Sequence, residues 1–154
     1  MQPLKEQITA LLEALELNFE FDEENNLFRL NFEAENAPVH VCISYDDERK
    51  LLINRSWISI NLPKERKAAI LYAINKLHDE WCTPAYLYLD EDDNELSSRC
   101  MIDVPENGLE RDVFGYFLFS TVNCLDDKFK DIMAVAYGSE FGNLGGTSEQ
   151  KEVN

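Results

Sequence analysis

Leu4, Ile8, Leu11, Leu12 and Leu15 fall at i, i+4, i+7, i+8 and i+11, which is one face of an amphipathic helix. Pro3 suits the first turn of that helix. The period then changes to two. Phe19 and Phe21 alternate with polar residues, as do Phe28, Leu30 and Phe32, and then Val39, Val41, Ile43 and Tyr45. "DEENN" and "AENAP" separate these runs and have turn compositions. "LLINRSWISI" from Leu51 carries apolar residues on both faces, which predicts a central strand or one half covered from outside the domain. A five-residue "DDERK" loop would set Tyr45 opposite Leu51, Ile43 opposite Ile53 and Val39 opposite Trp57.

Helical period returns after Pro63, where Ile70, Leu71, Ile74, Leu77 and Trp81 form a stripe. "PAYLYL" and "NELSSRCMIDV" read as two further strands. The second has Leu96, Cys100, Ile102 and Val104 on one face and Ser97, Arg99 and Asp103 on the other. A long last helix starts near Leu109 and carries Val113, Phe117, Val122, Leu125, Phe129 and Met133, with Phe114, Leu118 and Phe119 widening its apolar face. The prediction is an α+β domain: an antiparallel sheet of about five to six strands, with helices near residues 3–16, 63–82 and 109–135 covering one face. Residues 1–137 form a single domain in this reading. From Gly138 the Gly-rich, polar sequence has no period and reads as a disordered tail.

Composition narrows the function more than the fold. The chain has 154 residues, 45% hydrophobic, which supports one buried core. Its 30 acids against 14 Lys+Arg give a net charge of −16. Such a field repels phosphate backbones and anionic lipid, so neither nucleic acid nor membrane is expected as a partner. The N-terminus lacks a basic start followed by an unbroken apolar run, and the longest apolar stretch is too short for a bilayer. Cys42, Cys82, Cys100 and Cys124 show no CxxC and read as reduced thiols. A cytoplasmic protein is therefore expected.

Three constellations invite a chemical reading. "YLYLDEDDNELSSR" crowds acids between strands. Counted from Asp90 as a calcium loop, it puts Glu95 where Gly is needed and Met101 where a bidentate Glu is needed. It reads instead as a solvated hairpin turn. His78 and Cys82 stand at i, i+4 on a helix, and His40 and Cys42 share one side of a strand. Nothing in the sequence joins the two pairs into a zinc site, so no metal and no cofactor is expected. Cys82 ends its helix, where the dipole does not favour a thiolate, and no catalytic motif is present. No catalytic residue is assigned and a non-enzymatic role is expected.

Surplus large apolar residues remain. On the last helix, on Tyr45 and Trp57, and on "YLYL", they are either a well-filled core or a surface for a partner. Tyr45, Trp57, Phe114 and Leu118 are the candidate partner-binding residues.

The helix–strand order, the Pro-started "LPKERKAAILYAINKLHDEW" and "AYLYLDEDDNELSSRCMIDVPENG" together resemble the YbjN-like family of bacterial sensory-transduction regulators. That resemblance runs from Leu4 to about Tyr137. It implies a fold similar to type III secretion chaperones and a small acidic non-enzymatic domain, often dimeric, with regulatory or chaperone-like binding. It supplies no functional residues. The expected function is protein interaction, with another polypeptide as partner and a homodimer as the assembly. The alternative is a small ligand-binding protein or enzyme with an unrecognised pocket.

Overall fold

A computed structural model of the chain describes residues 2–80 and 83–138. Helix α1 spans Leu4–Ala14. Strands β1 (Glu20–Asp22), β2 (Leu27–Glu33), β3 (Pro38–Asp46) and β4 (Leu51–Asn61) follow. A 3₁₀ turn at Lys64–Arg66 leads into α2 (Lys67–Glu80), then β5 (Tyr86–Leu89), β6 (Glu95–Asp103) and α3 (Arg111–Tyr137). The last two residues of the predicted second helix, Trp81 and Cys82, and the predicted tail beyond Gly138 lie outside the described residues.

The six strands form one antiparallel sheet in the order β1-β2-β3-β4-β6-β5. β1 to β4 are a meander, as expected from their short loops. The meander stops at β4. β6 inserts beside β4 and leaves β5 at the edge, running in the same direction as β4. Two strands of the same direction need a crossover, and α2 provides it.

The turn between β3 and β4 corrects the predicted register by one residue. Tyr45 lies opposite Leu52, Ile43 opposite Asn54 and His40 opposite Trp57. The loop is shorter than expected because Asp46 and Leu51 still pair. Asp46 Oδ1 accepts the Arg49 N–H at 2.9 Å, and Lys50 closes the turn at φ 57°. A one-residue slip exchanges the faces of a strand. Leu52, Asn54, Ser56 and Ile58 therefore turn toward the helices, while Ile53, Arg55 and Trp57 turn away.

All three helices pack on one face of the sheet. Phe28 and Leu30, Val39, Val41 and Ile43, Leu52 and Ile58, Leu87 and Leu89, and Leu96 and Cys100 point into this layer from five strands and are buried. They meet Leu4, Ile8 and Leu12 of α1, Ile70 and Ile74 of α2, and Phe114, Phe117, Leu118 and Leu125 of α3. Phe28 is the centre of an aromatic group, with the Phe21 ring edge-on at 4.8 Å and Phe19 and Tyr45 at 5.9 and 6.3 Å.

One part of this core is polar. Asn54 is fully buried, and its Nδ2 donates to the carbonyls of Phe117 and Leu118 and to Thr121 Oγ1 at 3.2, 3.1 and 2.9 Å. Ser56 Oγ donates to Asn54 Oδ1 at 2.9 Å and lies 2.7 Å from Thr121 Oγ1. These bonds fix the rotation and height of α3 over β4, which apolar contact alone would leave free to slide.

The entry to α3 is fixed through α1. Gln7 Oε1 accepts the Leu109 N–H at 2.9 Å, and Gln7 Nε2 donates to the Gln2 carbonyl at 2.7 Å. Gly108, at φ 96°, brings its backbone close to that amide, and a Cβ there would stand 3.0 Å from Gln7 Oε1. Gly108→Ala is expected to destabilise the protein by more than about 1 kcal/mol, since both the conformation and the space disfavour a side chain. Urea denaturation of the variant measures this. A loss below a few tenths of a kcal/mol would show that the turn relaxes freely.

Candidate protein-binding face

The second face of the sheet has no helix over it. Strand alternation and register place two rows of side chains there. One row is Asn31, His40, Trp57, Ser97 and Tyr88, on five adjacent strands. The other is Arg29, Cys42, Arg55, Arg99 and Tyr86. Met101, opposite Ile53, and Tyr86 are large apolar side chains exposed at 51% and 42%. Trp57 is half-buried, its ring centroid 5.5 Å from that of His40. The Arg99 guanidinium lies 5.3 Å from the centroid of the Tyr88 ring, within cation–π range.

A cleft of about 530 Å³ opens on this face between Arg29, Cys42, Arg55 and Trp57 on one side and Tyr88, Asp90, Asp93 and Glu95 on the other. Its acidic wall is the crowded turn of residues 90–95, which is a β-hairpin. Asp90 N–H donates to the Glu95 carbonyl and Asn94 N–H to the Asp90 carbonyl, both at 3.0 Å. Asp90 Oδ1 accepts from the Asp92 and Asp93 amides, and Asp93 Oδ1 from the Glu95 amide. The Asp92 bond is the main reason that the Asp90 carboxyl is held below its usual range. Burial pushes the Glu95 carboxyl up. Asn94, at φ 61° and buried, donates to the Leu62 carbonyl at 2.8 Å and so ties this hairpin to the end of β4.

Arg29 has a partner of its own. Its Nη2 lies 3.0 Å from Asp22 Oδ2, and its Nη1 donates to Cys42 Sγ at 3.3 Å. Asp22 is lowered to about 2, first by the Asn25 side chain and backbone and then by Arg29. Burial pushes the Cys42 thiol up against the opposing pull of Arg29 and Arg55. Cys100 shifts the same way, and Cys124 rises to about 11, in both cases chiefly through burial. Cys42, Cys100 and Cys124 are free thiols, and at neutral pH none is a thiolate nucleophile.

Of the four candidate partner-binding residues, Trp57 alone stands on this face. Tyr45 lies on the helix-covered side, half-buried beside Phe28, its hydroxyl donating to Asn26 Oδ1 at 3.1 Å. Phe114 and Leu118 are fully buried. The surface placement expected for them is corrected: α3 turns its wide apolar face into the gap between α1, α2 and the sheet, which is broad enough to take it. The surplus that α3 does expose is Val113, Tyr116 and Tyr137. Of the two His/Cys pairs, Cys82 lies outside the described residues, and the two histidines stand on different elements, α2 and β3. His78 Nε2 lies 3.1 Å from both the N and the O of Leu87, so it borders the edge strand β5. His40 Nδ1 pairs with Asn31 Oδ1 at 2.6 Å. Among the described residues no three His, Cys, Asp or Glu side chains are grouped to hold a metal ion. No helix among them is long and apolar enough to cross a membrane.

Comparison with known proteins agrees with this architecture. The YbjN family, described as "Putative bacterial sensory transduction regulator", matches residues 4–132, and the chain belongs to it. A comparison with curated proteins gives no sequence match. Among solved structures, YbjN from E. coli superposes with a TM-score of 0.59 at 14% identity, over 88% of this chain and 93% of that one. The structure of the ExsC–ExsE complex gives 0.58 at 15% identity, over 82% and 94%. The HopA1–SchA chaperone–effector complex gives 0.50 at 17% identity, over 79% and 88%. The fold is thus that of YbjN and of type III secretion chaperones.

Proposed function

We propose that this chain is a non-enzymatic protein-interaction module, chaperone-like or regulatory, that binds another polypeptide on the uncovered face of its sheet. Within this reading residues 1–137 act as one domain in the cytoplasm. The observation that carries it is the asymmetry of the sheet: one face is filled by three helices, and the other carries Trp57, Tyr86, Tyr88 and Met101 on three adjacent strands. A small domain gains nothing in stability from aromatic side chains held at such a surface, whereas a partner that covers them does. The fold is shared with proteins whose structures were solved in complexes, one of them named as chaperone with effector, which supports the same reading. The acidic remainder of the surface keeps the molecule dispersed while the face is vacant. Self-association belongs to the same proposal, with Leu71 and Tyr72 of α2 and Val113 and Tyr116 of α3 as exposed apolar side chains free for it.

Trp57→Ala tests the proposal. Because Trp57 is half-buried, its loss is expected to cost less than the roughly 3–5 kcal/mol of a fully buried aromatic. It should at the same time abolish retention of the native partner, read by quantitative mass spectrometry of material captured by wild type and variant. Equal capture by a stably folded variant would remove the open face from consideration.

A further inference from the structure

The open face contains a local arrangement that folding alone does not explain. Arg55 and Arg99 are directly opposite each other on β4 and β6. Like charges in that position repel and destabilise a sheet. Acids outnumber basic residues 30 to 14 in this chain, so carboxylates to neutralise the pair are abundant. None of the close ion pairs among the described residues includes Arg55 or Arg99: Arg55 bonds to the Tyr88 side chain and feels the Asp90 charge only at longer range. Arg99 Nε is buried and has no hydrogen-bond partner, a donor left dry at a cost. Asp90 and Asp93 of the hairpin turn accept backbone amides of their own loop, and Asp90 offsets part of the Arg55 charge. Arg29, in the same row, is already matched by Asp22. The pair stands between Cys42 and Tyr86, with Trp57 and Tyr88 in the row alongside.

We propose that Arg55 and Arg99 receive the carboxylates of an acidic segment of the partner polypeptide, whose interleaved apolar side chains rest on Trp57 and Tyr88. This rests on the protein-binding reading and specifies the chemistry of the partner. In a chain of net charge −16 the pair offers an acidic segment an attractive place on this face, on the side of the cleft away from the acids of the hairpin turn. A second copy meeting the same face would bring its own arginine pair against this one, so the occupant is a different sequence. Each guanidinium presents a planar fork suited to a carboxylate.

The test uses the full chain and a fluorescent peptide alternating Glu with Leu and Phe, beside a counterpart with Gln for Glu. Wild type should bind the Glu peptide more tightly, by about tenfold, and added salt should narrow the difference. Arg55→Gln/Arg99→Gln should lose that preference while remaining folded, as its urea denaturation curve would show. Arg55→Glu/Arg99→Glu should prefer a Lys-for-Glu peptide, a reversal that no structural role of the arginines would produce. Equal binding of the Glu and Gln peptides, lost in Trp57→Ala, would overturn the carboxylate assignment and leave the protein-binding reading standing. No binding of either peptide to wild type would overturn both. A wild-type dimer that the Gln variant converts to monomer would also overturn it, by making a second copy the occupant.

Discussion

Phe114→Ala is expected to cost roughly 3–5 kcal/mol of folding stability, without a separate effect on partner binding once the protein is folded. Phe114 has no exposed surface and lies 5.9 Å ring to ring from Phe117, whose side chain is 1% exposed. Removing the ring withdraws a large apolar area from the core and leaves a cavity lined by α3 and the sheet, which the surrounding close-packed side chains fill only in part. A domain of this size has about 5–15 kcal/mol in total, so the loss is a large share. Urea denaturation gives the number, and partner binding measured well below the variant's midpoint gives the control. Weakened binding with unaltered stability would mean that Phe114 is reached by a partner after all.

Asn54→Leu is expected to destabilise by about 2–4 kcal/mol despite matching the amide in size. The substitution removes a donor that serves Thr121 Oγ1 and two α3 carbonyls and an acceptor that serves Ser56. It leaves the buried hydroxyls of Ser56 and Thr121 with only each other and, for Thr121, a long 3.4 Å contact to the Leu118 carbonyl. The cost comes mainly from dry, unmet polar groups and not from lost attraction. The triple variant Asn54→Leu/Ser56→Ala/Thr121→Val should therefore recover most of the loss, because no partner is then left unmatched. Thermal denaturation of single and triple variants decides this. A triple variant less stable than the single one would mean that the network contributes through geometry that apolar packing cannot replace.

Trp57 and the "YLYL" strand were legible as surplus apolar side chains because their number exceeds what a helical layer of this size needs. Phe114 and Leu118 carried the same signal, but a stripe on a helix does not reveal how wide a gap it fills, and here the gap accepts it whole. The arginines were hidden in a different way. Arg55 and Arg99 are 44 positions apart and meet only through the β4–β6 ladder. A net charge of −16 describes the chain and conceals one positive spot on one face.

Side-chain periodicity is a property of consecutive residues, so the sequence by itself determined three helices, the strands, most of their limits and the reading of residues 90–95 as a turn without calcium geometry. Register is a property of two strands and the turn between them. In the tertiary structure Lys50 takes a left-handed conformation, the turn shortens by one residue, and every side chain of β4 changes face. That one step put Asn54 and Ser56 into the core, where α3 supplies their hydrogen-bond partners, and put Trp57 and Arg55 onto the open face. The insertion of β6 beside β4 then brought Arg99 opposite Arg55. Both are long-range pairings chosen by the packing of the whole sheet against its helices, which no local pattern encodes.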